Sequence, residues 1–148
     1  MKLRNVTEMV VVHHSLTDTG NVEVFRIHHK KPKEQGGLGA EDIGYHFLIQ
    51  PCGDLELGRP ERFIGAHARG KNFNSIGVVF VGNFFKYEPT FESLNTFHNL
   101  YNSLCKTYQK KLIIGFHRRE GLKNSCPGPK LNRIDFLEIM YKGVINGT

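Results

Sequence analysis

Tryptophan is absent from this chain of 148 residues, cysteine occurs only three times, and no long hydrophobic run interrupts the polar background. Nothing approaches the roughly 20 consecutive apolar residues that a membrane-spanning helix requires, so no membrane association is expected. The opening MKLRNVTEMVVVHHS is basic at its start, but its apolar run is short and leads straight into a candidate functional histidine. Cleavage of a secretory leader there would destroy the site, so synthesis in the cytoplasm without a signal peptide is expected. Internal repeats, low-complexity stretches and linkers are also missing, and the length suits one domain over residues 1–148. Acidic residues are in the minority, 14 against 20 Lys and Arg, for a formal charge of +6. The positive charges are scattered through several segments instead of striped along one helix, so no nucleic-acid partner is expected.

What is present is a set of short periodic segments. Met9 to Val12 read as a buried strand, and Asn21 can cap a helix running to about Lys31 before Pro32 opens a Gly-rich connection. Tyr45 to Gln50 and Leu55 to Gly58 form a hairpin across Pro51-Cys52-Gly53-Asp54, and Ile76 to Val81 form another buried strand. Phe91, Leu94, Phe97, Tyr101, Leu104 and Tyr108 recur every three or four residues, which predicts an amphipathic helix over Thr90 to Tyr108. Leu112 to Phe116 supply a further strand, and Asn132 to Tyr141 a last helix. The fold class expected is α/β of the α+β type, a single domain with a central mixed sheet flanked by helices.

Three pieces carry the chemistry: His13 in VVVHHSLT, His117 in LIIGFHRRE and Cys126 in KNSCPGPK. Each histidine closes an apolar β-branched run and the cysteine lies in a Pro/Gly loop, so two strand ends and one loop can meet. Two imidazoles and a thiolate suit zinc, and three protein ligands leave a fourth tetrahedral position open, as in catalytic and not in structural sites. The expectation is a zinc hydrolase with one Zn2+ per chain. A cysteine nucleophile with His117 as its base is the rival chemistry. His13 and His14 alternate on the strand, so only one can readily point at the metal. Cys52, in a turn, and Cys105, in a helix, are the remaining thiols, and without a secretion signal they are expected to be free.

These residues, together with IGYHFLIQPCGDLELGRP and GAHARGKNFNSIGVVFVGNF in order between them, resemble the type 2 N-acetylmuramoyl-L-alanine amidases. That family includes the phage amidase lysozymes and the peptidoglycan recognition proteins, and the resemblance runs from Val10 to Met140. It implies the mixed-sheet architecture, a peptidoglycan or muropeptide substrate, and hydrolysis of the amide joining the muramic acid lactyl group to the first stem-peptide alanine. It selects His13 over His14 as ligand and sets Tyr45 beside the reacting water as a hydrogen-bond donor. His67 and Asn74 match positions that line the substrate groove, although His46 and His67 can equally be structural. Arg69 and Lys71 flank that motif, in reach of stem-peptide carboxylates. With no tryptophan, sugar stacking falls to Tyr or Phe, Phe73 for example. His28, His29 and His98 lie on helical segments as solvated or packing residues.

One departure stands out. The family has a lysine or threonine two residues before the cysteine, where this chain has Asn124 preceded by Lys123, and the interval from His117 is one residue longer. Either Lys123 or Asn124 could therefore stabilise the oxyanion, with the ammonium of Lys123 favoured. The resemblance does not separate an endolysin, acting on the wall after release, from a cytosolic amidase that recycles wall fragments. A non-catalytic muropeptide-recognition module and a regulatory protein using its basic surface are the alternatives, though recognition-only relatives commonly lack the cysteine present here. A compact hydrolase of this kind is adequate as a monomer.

Overall fold

The computed structural model describes residues 1–117 and 126–131. Along them run β1 (Met9–His14), α1 (Val22–Lys30), β2 (Phe47–Ile49), β3 (Leu55–Leu57), β4 (Ser75–Phe80), α2 (Phe91–Thr107) and β5 (Ile113–Phe116), with a 3-10 turn at Lys33–Gln35. The helix expected over Asn132 to Tyr141, like Lys123 and Asn124, lies outside the described residues.

The strands form one sheet in the order β3-β2-β4-β1-β5. β2 and β3 pair antiparallel as the expected hairpin, whereas β2 with β4, β4 with β1, and β1 with β5 are parallel. The sheet is therefore mixed, as the early hairpin among alternating strands and helices predicts. Val12 lies opposite Phe116 in the β1/β5 ladder, and the His117 N–H donates to Val12 O (3.1 Å), so the pairing carries His117 alongside His13.

Alternation divides the sheet into two unlike faces. Val10, Val12, Ile76, Val78 and Phe80 join Leu94, Phe97, Leu100, Tyr101 and Leu104 of α2 in the main core. On the other face Val79 packs with Val22, Ile43, Leu48 and Val81 in a smaller cluster, and there the sheet also carries His13. Thus α2 covers the face that builds stability and leaves the opposite face to the site.

Both helices start where their caps predict. Asn21 Oδ1 accepts from the Val24 N–H (2.9 Å) and Thr90 Oγ1 from the Ser93 N–H (3.1 Å), each satisfying a donor that the first helical turn leaves open. Three details differ from the sequence reading. β1 runs on through both histidines, because Ser15 N–H still donates to Phe80 O (2.9 Å) and prolongs the ladder. β2 is confined to three residues, though Arg59 N–H to Tyr45 O (2.8 Å) and Gly58 N–H to His46 O (2.9 Å) extend the hairpin irregularly. Phe91 shares the helical period but is 65% exposed, whereas Leu94, three residues on, is buried in the main core. Among the described residues, no helix is long and apolar enough to cross a membrane. Cys52 and Cys105 are free thiols, as expected.

Candidate metal and catalytic site

The carboxyl ends of adjacent parallel strands meet at one edge of the sheet, where open α/β sheets commonly bind ligands. Here β1 delivers His13, β5 delivers His117, and the loop holding Cys126 folds over both. One ligand atom from each of His13, His117 and Cys126 lies within 4.8 Å of the others. His13 Nδ1 stands 3.9 Å from Cys126 Sγ, and the rings of His13 and His117 are 4.7 Å apart. Zinc bonds of about 2.1 Å to nitrogen and 2.3 Å to sulfur at a tetrahedral angle place such a pair about 3.6 Å apart. Both the donor set and its spacing therefore fit zinc; hard cations such as calcium and magnesium prefer oxygen.

Residue 14 separates its backbone from its side chain. Its N–H donates to Cys126 Sγ (3.2 Å) and helps seat the cysteine. Its ring, on the opposite face from His13, takes the Phe84 N–H at Nδ1 (3.1 Å) and packs against Phe84 and Phe85. Phe84 O in turn accepts from Lys130 N–H (2.9 Å), so the loop beyond Cys126 rests on a segment that His14 holds. Gly128 has a φ of +92° and approaches the Phe84 backbone so closely that a Cβ would fall 2.8 Å from it, which explains the glycine of the CPG sequence.

Burial governs the protonation states. It holds His13 well below the usual imidazole range, reinforced by the positive forms of His67 and His117, so the ring is neutral and able to ligate. Burial likewise pushes the Cys126 thiol up to about 11, only partly offset by the His14 N–H. The metal-free cysteine is therefore a thiol at neutral pH, the wrong form for a nucleophile, and ligation would release its proton. Tyr45 lies with its ring 5.0 Å from that of His13. Burial, then the negative form of Cys126, raises its phenol well above the ordinary value, which makes it a hydrogen-bond donor and not a base.

His67 is buried, with Nδ1 2.9 Å from His13 Nε2, yet one edge reaches a cavity of about 690 Å³ that His117, Arg69 and Lys71 also line. That volume lies within the range of small-ligand pockets, about 300–1,000 Å³. Asn74 stands apart from the residues lining it: just before β4 its amide donates to Glu8 Oε2 (2.7 Å). Phe73 is exposed. Tyr45 borders a second cavity of about 480 Å³ beside α1, shared with Phe25, His28 and His29.

Several contacts escape a reading of the sequence, which offers His46 and His29 only as structural or packing residues with no partner named. Asn72 Oδ1 accepts both the His67 and Ala68 N–H groups (2.8 Å each) and clamps the loop under the cavity. His29 is buried and accepts the Gly44 N–H (2.9 Å) beside Tyr45. His46 takes the structural role, accepting from Gly77 N–H and contacting Phe63 O, both at 2.9 Å. Arg59 is buried, its guanidinium donating to Ile43 O (2.8 Å), Ile64 O (2.7 Å) and Asp42 O (3.2 Å). Only the Gly-punctuated loop around GAHARGKN offered a signal for any of these, since the partners are distant in sequence.

Known proteins are similar to this chain over nearly its whole length. The endolysin of Escherichia phage T7 is 36% identical over 138 residues, covering 89% of this chain and 87% of its own. The structure of the N-acetylmuramoyl-L-alanine amidase LysC from Clostridium intestinale URNW superposes with a TM-score of 0.72 at 30% identity, over 95% of this chain and 85% of that one. Peptidoglycan recognition protein-LE, solved in complex with tracheal cytotoxin, a monomeric diaminopimelic acid-type peptidoglycan, gives a TM-score of 0.73 at 28% identity, over 95% and 82%. A family model described as N-acetylmuramoyl-L-alanine amidase matches residues 3–129, a span that takes in every described residue of the His13, His117 and Cys126 cluster, and the chain belongs to that family.

Proposed function

We propose that this protein is a zinc-dependent N-acetylmuramoyl-L-alanine amidase that hydrolyses the amide between the muramic acid lactyl group and the first stem-peptide alanine. The observation that carries the reading is the convergence of His13, His117 and Cys126 within 4.8 Å, with the Tyr45 ring beside them. Endolysin relatives support action on the bacterial wall, and the recognition protein solved with tracheal cytotoxin supports a muropeptide as the ligand class.

Bound zinc would supply a Lewis acid and activate a water nucleophile near neutral pH. His13, His117 and Cys126 would hold it, two neutral imidazoles and one thiolate giving the site a net charge near +1. Tyr45, kept protonated by burial, donates a hydrogen bond to the oxyanion as the amide carbonyl becomes tetrahedral. Lys123 or Asn124 adds a second donor from the loop before Cys126. Arg69, with His67 and Lys71 around the larger cavity, meets the carboxylates of the stem peptide, while Asn74, given a groove role by the family resemblance, lies outside that lining with its amide on Glu8.

Mass spectrometry of purified muropeptides tests this directly. Zinc-loaded protein should release the stem peptide with a free alanine amine, and a strong chelator should abolish release until zinc is restored. Intact muropeptides after incubation with zinc-loaded protein would leave recognition without cleavage as the function; cleavage of a different bond would overturn the assignment.

A further inference from the structure

Behind the proposed ligand His13 lies a chain of hydrogen bonds whose direction can be worked out atom by atom. Ser75 Oγ is 2.6 Å from Lys71 O, and because a carbonyl can only accept, the single hydroxyl proton is committed there. The same Oγ lies 3.3 Å from His67 Nε2, so at that contact the hydroxyl must accept and His67 Nε2 must carry the proton. A neutral imidazole with its proton on Nε2 has a bare Nδ1. That Nδ1 sits 2.9 Å from His13 Nε2, which must therefore donate. The remaining nitrogen of His13, Nδ1, is left with its lone pair directed to the side of Cys126 Sγ, 3.9 Å away.

We infer that Ser75 and His67 form a relay that fixes His13 in the Nε2–H tautomer, and so presents Nδ1 as a metal ligand before any metal arrives. His67 and Ser75 are positioning residues. The surroundings are built to hold the relay still. Ser75 is fully buried and His67 nearly so. The His67 ring is accommodated between two glycines: a Cβ on Gly65 or on Gly77 would fall 2.5 Å from its Cδ2. Asn72 fixes the backbone of the same residue from the other side (2.8 Å to its N–H). Reversing the relay would require the Ser75 proton to leave the Lys71 carbonyl and would place a proton on the nitrogen that has to ligate. An outer partner that sets the tautomer of a ligating histidine changes metal affinity by about 10- to 100-fold.

The inference rests on the metal-site reading, yet the tautomer can be measured without metal. In 15N-labelled metal-free protein above neutral pH, the ring-nitrogen shifts of His13 should report a protonated Nε2 and a bare Nδ1. Ser75→Ala should shift His13 towards the Nδ1–H form, and competition with a chromophoric chelator should show weaker zinc binding. His67→Phe keeps an aromatic ring but removes the acceptor and should weaken zinc binding by about 10- to 100-fold. His67→Gln, whose amide oxygen can accept from His13, should recover part of that loss. Thermal melts establish that each variant is folded, and Ser75→Ala, the smallest change, decides the matter if His67→Phe is not. Wild-type His13 in the Nδ1–H form would overturn the relay, as would folded Ser75→Ala with both tautomer and zinc affinity unchanged. Wild-type protein that shows the expected tautomer but binds no zinc would leave the relay standing and remove the metal reading instead.

Discussion

A single hydroxyl distinguishes Tyr45 from phenylalanine, and its ring already packs against His13 and His29. Tyr45→Phe should therefore keep fold and zinc content while lowering turnover by about ten- to a thousand-fold, the scale of losing one oxyanion donor. The Michaelis constant should change little, and full activity in that variant would reject the donor role. The adjacent histidines make a second pair of residue-scale expectations. His13→Ala should lose both zinc and activity. His14→Ala should keep most of its zinc but show a lower unfolding temperature, because the Phe84 N–H loses its acceptor beneath the Cys126 loop. Zinc analysis beside thermal melts separates the two. At this scale the sequence pointed to the convergence of His13, His117 and Cys126, whose ligand atoms lie within 4.8 Å of one another, while the place of Tyr45 came from the family resemblance. It did not name the partner where a role depends on a residue far along the chain. His67 next to Ser75 is one case, and His29, His46 and His14, each receiving a backbone N–H, are others.

Elements were read best at their starts, since a cap is a local interaction: Asn21 and Thr90 each bond three residues ahead. Their ends and faces depend on what they meet. Phe91 repeats the helical period yet is exposed, and the hairpin pairing passes from regular to irregular bonds on both sides of β2. Connections were the least legible of all, because Arg59 gives no periodic signal, yet its donors satisfy carbonyls on both the 42–43 segment and Ile64. Those two segments lead into Tyr45 and His67. Arg59→Ala should destabilise the fold by about 2–4 kcal/mol, since several buried carbonyls lose their donor together. Denaturant unfolding measures the loss, and an unchanged midpoint would show that water replaces the guanidinium without penalty.

For the molecule as a whole, a mixed sheet with helices was legible from the early hairpin and the alternation of segments, but strand order was not. β1, first in sequence, lies between β4 and β5. The buried histidines also give the whole molecule an acid limit. His29 and His46 have pKa values lowered from 6.5 to about 4, chiefly by burial, and each spends Nδ1 on a backbone N–H. Unfolded chains take up protons below about pH 6.5 that the folded state refuses, so this contribution is intact above that value and is lost as pH falls towards 4. Unfolding temperatures of chelator-treated protein should fall across that window, and His46→Gln, which can still accept the Gly77 N–H, should flatten the decline. An undiminished slope in that variant would assign the acid sensitivity to other groups.

Strand order also sets a timetable for the emerging chain. Met9 waits for Ser75 on one side and Ile113 on the other, and pairings between such distant residues form late because a long loop must close first. Cys126 is the last of the three ligands to leave the ribosome, and its seat against the His14 N–H exists only once β1 has its neighbours. A chain interrupted before residue 126 carries two of the proposed ligands and lacks the third. With the three proposed ligands acting together, wall-cleaving activity in a stalled-ribosome series should be absent until Cys126 clears the exit tunnel.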